Sequence, residues 1–160
     1  MVLSIKKYFT SLFFCICHKK NVPLQFKRKQ ETMAEEKHTI AGLAKGIFKD
    51  RGSKFLAFAE PIANEDEAKA RIAWYKKKYH DARHVCYAYR LGENLWRTKD
   101  DGEPHGTAGL PILRSIDAQK LDNILVVVVR YFGGTLLGTG GLMVAYREAT
   151  KEAIKNAEIQ

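Results

Sequence analysis

A ten-residue apolar run in the C-terminal half constrains the fold of this chain more than any other feature. It reads NILVVVVRYF over residues 123–132 and is rich in β-branched side chains. Consecutive apolar positions are typical of a strand that is buried on both faces, or nearly so, because successive side chains point to opposite faces. Gly133 and Gly134 end the run, and a helical pattern begins near Leu142 after a second glycine set at Gly138, Gly140 and Gly141. The sequence therefore predicts a buried strand, a glycine-rich loop and a helix.

A second glycine-rich loop lies upstream of this strand. Residues 100–109, which we call the acidic loop, read DDGEPHGTAG and carry three carboxylates and three glycines. We expect function to reside where the two loops meet, because binding residues concentrate on loops that a rigid scaffold positions.

Length and charge limit the classes of protein to consider. A chain of 160 residues, 46% hydrophobic, favours one folded domain with a real core. The net charge of +9 is concentrated in residues 1–33, with seven basic and one acidic side chain, whereas residues 34–160 hold twenty basic and seventeen acidic ones. Overall basicity is therefore no argument for nucleic-acid binding. Cys15, Cys17 and Cys86 form no disulfide or metal-ligand pattern, so we expect a reducing, cytoplasmic setting.

Residues 1–33 are predicted to be an extension outside the domain, which we place at 34–160. Lys6 and Lys7 precede an apolar stretch of about ten residues, shorter than the roughly 20 needed to span a bilayer. Three accounts remain open: an upstream stretch before a true start at Met33, a membrane-surface anchor, and an export signal. The first is favoured, and no integral membrane partner is expected.

The rest of the chain alternates between strand and helix patterns. Asn64 is a good N-cap with Glu67 at the capping-box position, so a helix is predicted to follow it. Lys76, Lys77 and Lys78 in its last turn match the helix dipole, an interpretation preferred to a nucleic-acid contact. Strands are predicted at 39–48, 54–62, 83–91, 94–99 and 123–132, and helices from 64, over 110–118 and over 142–157. This order predicts an α+β fold with a mixed sheet and helices packed on one face.

No catalytic residue or cofactor is predicted. Cys86 lies mid-strand, where a core thiol is favoured, and neither His84 nor His80 has the spacing of a triad. Asp100, Asp101 and Glu103 have the chemistry to gather a magnesium ion, but the same residues form an ordinary tight turn, which we prefer. No metal site is predicted.

The glycine set before the last helix has two interpretations. Gly138, Thr139, Gly140 and Gly141 leave backbone N–H groups free to face an anion, but glycines serve tight turns and close packing equally well. Arg130 and Arg147 flank this set. Arg130 ends a buried strand, so we expect it either to pair with Glu103 or Asp101 or to contact an anion.

These residues resemble those of the YigZ/IMPACT family. The resemblance rests on DGEPHGTAG at 101–109, VVVVRYFGG at 126–134 and LGTGGL at 137–142, with KGIFKDRGSKF at 45–55 and the segment around Ala82 to Arg90 upstream. The similarity runs roughly over residues 39–150. His105 departs from it, because the family usually has a small residue there.

The resemblance implies the α+β fold of the second domain of the small-subunit ribosomal protein S-five, and no established enzymatic activity. It implies that eukaryotic members are translational regulators acting on a stress-kinase pathway through a ribosome-associated protein, and nucleic-acid binding is proposed for bacterial members. Bacterial members usually have a second, ferredoxin-like domain and eukaryotic ones a further partner-binding domain, whose functions are not carried over. The functional surface that it implies comprises His84, Arg90, Asp101, Glu103, Arg130, Tyr131 and Gly138 to Gly141.

Three functions follow as hypotheses. The first is a non-catalytic module that binds RNA or a ribosome-associated protein, with Arg147 added to the surface residues and Gly106 and Thr107 shaping the acidic loop. The second is a small enzyme for a phosphate ligand or nucleotide that uses the Asp101/Glu103 loop and the Gly138–Gly141 loop. The third is a plain protein-interaction module.

Overall fold

The computed structural model describes residues 37–160; the predicted extension at 1–33 lies outside them, so the domain division stays a prediction. The described residues form five strands and three helices. In chain order these are β1 (Ala44–Asp50), β2 (Ser53–Pro61), α1 (Glu65–Lys78), β3 (His84–Leu91), β4 (Leu95–Lys99), α2 (Gly109–Ala118), β5 (Ile124–Tyr131) and α3 (Gly138–Lys155).

The five strands form one sheet in the order β1-β2-β5-β3-β4, and every neighbouring pair of strands is antiparallel. The prediction of an α+β fold is confirmed, but that of a mixed sheet is wrong. β2 and β3, joined through α1, do run parallel to each other. They are not neighbours, however, because β5 inserts between them and pairs antiparallel with both.

Helices cover both faces of the sheet, so the prediction of one covered face is also wrong. Ile124, Val126 and Val128 of β5 pack in one core cluster with residues of α2 and α3. Leu125 and Val127 belong to a second cluster with residues of α1. An unbroken apolar strand needs cover on both sides, since alternate side chains point to opposite faces.

Helix α1 begins as the capping pattern predicts. The Asn64 side chain accepts a hydrogen bond from the backbone N–H of Glu67 at 2.8 Å. The Glu67 carboxylate accepts a hydrogen bond from the backbone N–H of Ala63 at 2.8 Å. A capping box would instead use the N–H of the N-cap residue Asn64, one position later. Ala68, Ile72 and Tyr75, spaced four and three residues apart and therefore on one face of the helix, are buried.

Two glycines permit backbone contacts that a side chain would block. A Cβ on Gly46 of β1 would lie 2.3 Å from the backbone nitrogen of Ala153, so α3 lies directly on this strand. A Cβ on Gly133 would lie 1.9 Å from the backbone carbon of Gly52, so the β1–β2 turn packs directly on the end of β5.

The first strand begins later than predicted. β1 covers Ala44–Asp50, whereas His38 and Ile40 form only isolated bridges, with Leu121 and Ile159.

Candidate functional site

Asp100 organises the loop between β4 and α2. Its carboxylate accepts hydrogen bonds from the backbone N–H groups of Gly106 at 2.9 Å, Ala108 at 3.1 Å and Gly109 at 2.8 Å. Burial acts to raise the pKa of Asp100, but these three donors outweigh it and hold the pKa below its ordinary value. Thr107 closes the same loop by donating its hydroxyl to the carbonyl of Pro104 at 2.6 Å. Gly106 and Thr107 therefore have structural contacts within the loop.

Asp101 ties this loop to the neighbouring elements. Its carboxylate accepts from Lys76 Nζ of α1 at 2.8 Å and from the backbone N–H of Val85 in β3 at 2.9 Å. Burial opposes ionisation, but the contacts with Lys76 and Val85 lower the pKa of Asp101 below its ordinary value. The backbone carbonyl of Asp101 lies 2.8 Å from His84 Nδ1. Because a carbonyl oxygen can only accept, His84 Nδ1 carries a proton and donates it to this carbonyl.

Glu103 lies at the centre of a buried polar network. Its Oε1 accepts from Arg130 Nη1 at 2.6 Å and from the Tyr146 hydroxyl at 2.8 Å. Cys86 Sγ lies 3.3 Å from the same hydroxyl and 2.9 Å from the backbone carbonyl of Asp100, which accepts from the thiol. Burial raises the pKa of the Cys86 thiol well above its ordinary range, so this cysteine is a core residue rather than a reactive thiolate. The network joins the acidic loop, β3, β5 and α3.

The register of β3 and β5 places His84 directly opposite Arg130. His84 Nε2 also lies 3.8 Å from Glu103 Oε2. Three predicted site residues from three segments are thus neighbours. Of the two partners considered for Arg130, the structure pairs it with Glu103.

A pocket of about 300 Å³ opens beside these side chains. Its polar wall comes from β3, the acidic loop and β5, and its other wall from the segment that leads into α3. The lining residues are Arg83, His84, Glu103, Pro104, Arg130, Phe132, Leu136, Leu137, Gly138, Thr139 and Leu142. The acidic loop and the second glycine set therefore do meet, as the sequence suggests.

The glycine set is not a loop, however. Helix α3 begins at Gly138, four residues before the predicted start, so Gly138, Thr139, Gly140 and Gly141 form its first turn. Gly138 has φ +72°, a backbone conformation that residues other than glycine rarely adopt. Leu137 occupies the N-cap and makes no side-chain capping hydrogen bond. The backbone N–H groups of this turn lack the partner that a Ser or Asp cap would supply.

The structure separates the other predicted surface residues from this pocket. Arg90 lies six residues along β3 from His84, roughly 20 Å at the rise of an antiparallel strand, and pairs with Asp117. Tyr131 faces the α1 side of the sheet and donates to Asp81 at 3.1 Å. Arg147 is exposed on α3 and contacts Glu148. A single site does not include all of them.

Sequence reasoning did not select the apolar side of the pocket. Phe132 and Leu136 are exposed hydrophobic residues, 46% and 81%, at the end of β5 and in the following segment. Their signal was present in the sequence, because a large apolar residue such as Leu136 is unusual in a connection rich in glycine. Arg83, which is exposed at the pocket, was quoted only as part of a motif.

The three carboxylates of the acidic loop do not converge on a common point. Asp100 faces backbone amides, Asp101 faces Lys76, and Glu103 faces Arg130. Within residues 37–160, no group of three or more His, Cys, Asp or Glu side chains is arranged to hold a metal ion. In the same part of the chain, no helix combines the length and apolar character needed to cross a bilayer.

Comparison with known proteins identifies the relatives of this chain. An IMPACT family member from Thermus thermophilus is 50% identical over 105 residues, which are 66% of this chain and 56% of that protein. The IMPACT family member YigZ from Escherichia coli is 38% identical over 112 residues, 68% of this chain and 55% of that protein. The chain thus spans about half the length of these curated relatives.

A solved structure and a family model agree with this relationship. The crystal structure of a hypothetical protein superposes with a TM-score of 0.74 at 34% identity, covering 77% of this chain and 62% of that one. The Impact N-terminal domain model matches residues 51–154, which include the acidic loop, β5 and nearly all of α3. The resemblance inferred from the motifs is confirmed: this chain belongs to the Impact N-terminal domain family.

Proposed function

We propose that this domain is a non-catalytic, translation-associated regulatory module that binds RNA or a ribosome-associated protein. Family membership is the observation that carries the proposal, because the resemblance implies translational regulation for the eukaryotic members. The buried free thiol of Cys86 fits the reducing, cytoplasmic setting expected from the cysteine content.

The contacts around the pocket support binding rather than catalysis. Cys86 is buried with a raised thiol pKa, and the carboxylates of Asp100 and Asp101 are occupied by hydrogen bonds that hold the loop. Glu103 is held by Arg130 and Tyr146. The thiol and these three carboxylates are thus engaged in maintaining the fold.

The rim of the pocket favours a protein partner over RNA. Phe132 and Leu136, which line the pocket, are exposed by 46% and 81%. Exposed apolar side chains next to one another mark protein interaction sites, whereas RNA binding depends on cations that meet phosphates. Arg83 adds exposed positive charge at the pocket.

Co-sedimentation of the full chain with ribosomes tests this function. The assay is run at low and moderate salt, with and without nuclease. Binding to a protein should survive nuclease and be lost in Leu136→Ser, whereas the matched variant Leu95→Ser, on strand β4, should still bind. Binding to RNA should fall steeply with salt, disappear with nuclease and weaken in Arg147→Ala. Failure to co-sediment under every condition would refute the proposal.

A further inference from the structure

The pocket at the start of α3 combines two features that each favour an anion. The first turn of this 18-residue helix carries no side-chain cap, and two of its residues, Gly138 and Thr139, line the pocket at the positive end of the helix dipole. Oxyanions bind at such helix ends through backbone N–H groups.

The second feature is the buried guanidinium of Arg130. Its side chain is 5% exposed and lines the pocket, and its Nε has no hydrogen-bond partner. Glu103 accepts from Nη1, and a guanidinium has five N–H donors. A buried donor without a partner carries a desolvation cost of its own, so a ligand oxyanion there would recover free energy.

The local charge balance also favours an anion. Glu103 is the acidic side chain among the lining residues, and its Oε1 is already neutralised by Arg130 and hydrogen-bonded by Tyr146. Arg83 lies exposed at the same pocket, and His84 Nε2 is 3.8 Å from Glu103 Oε2. The positive charge of Arg83 therefore has no balancing carboxylate among the lining residues. The positive end of the helix dipole adds to it.

The rest of the lining is apolar. Phe132, Leu136, Leu137 and Leu142 contribute large hydrophobic surfaces, and Leu136 is 81% exposed. Pockets lined mainly by hydrophobic side chains with a few convergent polar groups are typical of small-molecule sites, and a volume of about 300 Å³ is at the small end of their range.

We propose that this pocket binds a small ligand in which an oxyanion, phosphate or carboxylate, is joined to a compact apolar group. The oxyanion lies between the first turn of α3 and Arg130, and the apolar group lies against Phe132 and Leu136. This site shares Phe132 and Leu136 with the proposed protein contact, but the inference rests on the helix end and Arg130 and does not depend on that contact.

Phenyl phosphate and benzoate are suitable probes for this site, and they distinguish the two oxyanions. Titration of the full chain, followed by backbone amide NMR shifts and calorimetry, should show saturable binding with the largest shifts at Gly138 to Gly141. Inorganic phosphate lacks the apolar group and benzyl alcohol lacks the oxyanion. Each should bind at least tenfold more weakly than the better of the two probes. If either compound bound as tightly as that probe, the proposal that the ligand needs both an oxyanion and an apolar group would be overturned.

Thr139 supplies a matched pair of variants. Thr139→Asp places a carboxylate at the helix N-terminus, where it suits the dipole and competes with the ligand, whereas Thr139→Asn has nearly the same shape without the charge. Thr139→Asp should bind the preferred probe at least tenfold more weakly than Thr139→Asn, with a melting temperature that is no lower. Equal affinity in the two variants, or no amide shifts with either probe at millimolar concentration, would overturn the proposal.

Discussion

At the residue scale, Glu103 shows how a buried charge is accommodated in this fold. Its carboxylate is almost fully buried, at 3% side-chain exposure, and it is stabilised by the guanidinium of Arg130 and the hydroxyl of Tyr146. A buried carboxylate without partners would cost several kcal/mol, so these contacts are conditions of folding as well as features of the site.

Removal of the Tyr146 hydroxyl should therefore destabilise the protein. Tyr146→Phe deletes one donor to the buried Glu103 carboxylate and leaves the Cys86 thiol with the Asp100 carbonyl as its acceptor, so we expect a loss of about 1–2 kcal/mol in the free energy of unfolding. Urea denaturation measures this. Tyr131→Phe, whose hydroxyl meets Asp81 at the surface, is the control. The prediction is wrong if both variants lose the same amount.

The hydrogen bonds of Asp100 predict how the free energy of unfolding changes in acid. Its folded-state pKa lies below its ordinary value, so its contribution to stability is present above roughly pH 4 and is lost as pH falls through the folded-state pKa. Asp100→Asn removes that contribution. The difference between the two proteins in unfolding free energy should be largest above about pH 5 and should shrink toward pH 2. A difference independent of pH would contradict the assignment.

At the element scale, α1 begins through local interactions alone. Asn64 accepts from the N–H of Glu67 within one turn, and acidic and basic side chains occupy the first and last turns as the dipole prefers. Such short-range determinants can be recognised in a sequence because every partner is within four residues.

The capping role of Asn64 predicts a loss of stability when this residue is substituted. Asn64→Ala should lower the free energy of unfolding by about 1 kcal/mol, because the N–H of Glu67 loses its acceptor. Asn64→Asp keeps an acceptor and should remain close to the natural protein. Thermal or chemical denaturation of both variants measures the effect, and a neutral Asn64→Ala would exclude a capping role.

At the scale of the whole molecule, the contact between α3 and β1 depends on the absence of a side chain. Gly46→Ala would bring a Cβ within 2.3 Å of the backbone at Ala153, so the helix has to shift. We expect a loss of about 1–3 kcal/mol or more, as in overpacked cores. Gly42→Ala, where the added Cβ meets nothing within 4 Å, should change stability little. Equal stability of the two variants would show that α3 does not pack closely on β1.

The sequence by itself determined the local elements and the family. The apolar run of β5, the capping residues of α1 and the motifs around the acidic loop and the glycine set of α3 are all patterns of near neighbours. Helix and strand periods and capping bonds act over a few residues, so they can be read without knowledge of the fold.

Only the tertiary structure decided which of these residues share a site. The insertion of β5 between β2 and β3 sets the register that places His84 beside Arg130 and leaves Arg90 at the far end of the strand. It also brings Glu103 to Arg130 across 27 positions of sequence and leaves Phe132 and Leu136 beside the first turn of α3. Strand order and register depend on long-range pairing and on the burial of both faces of β5, and no local pattern in the chain specifies them.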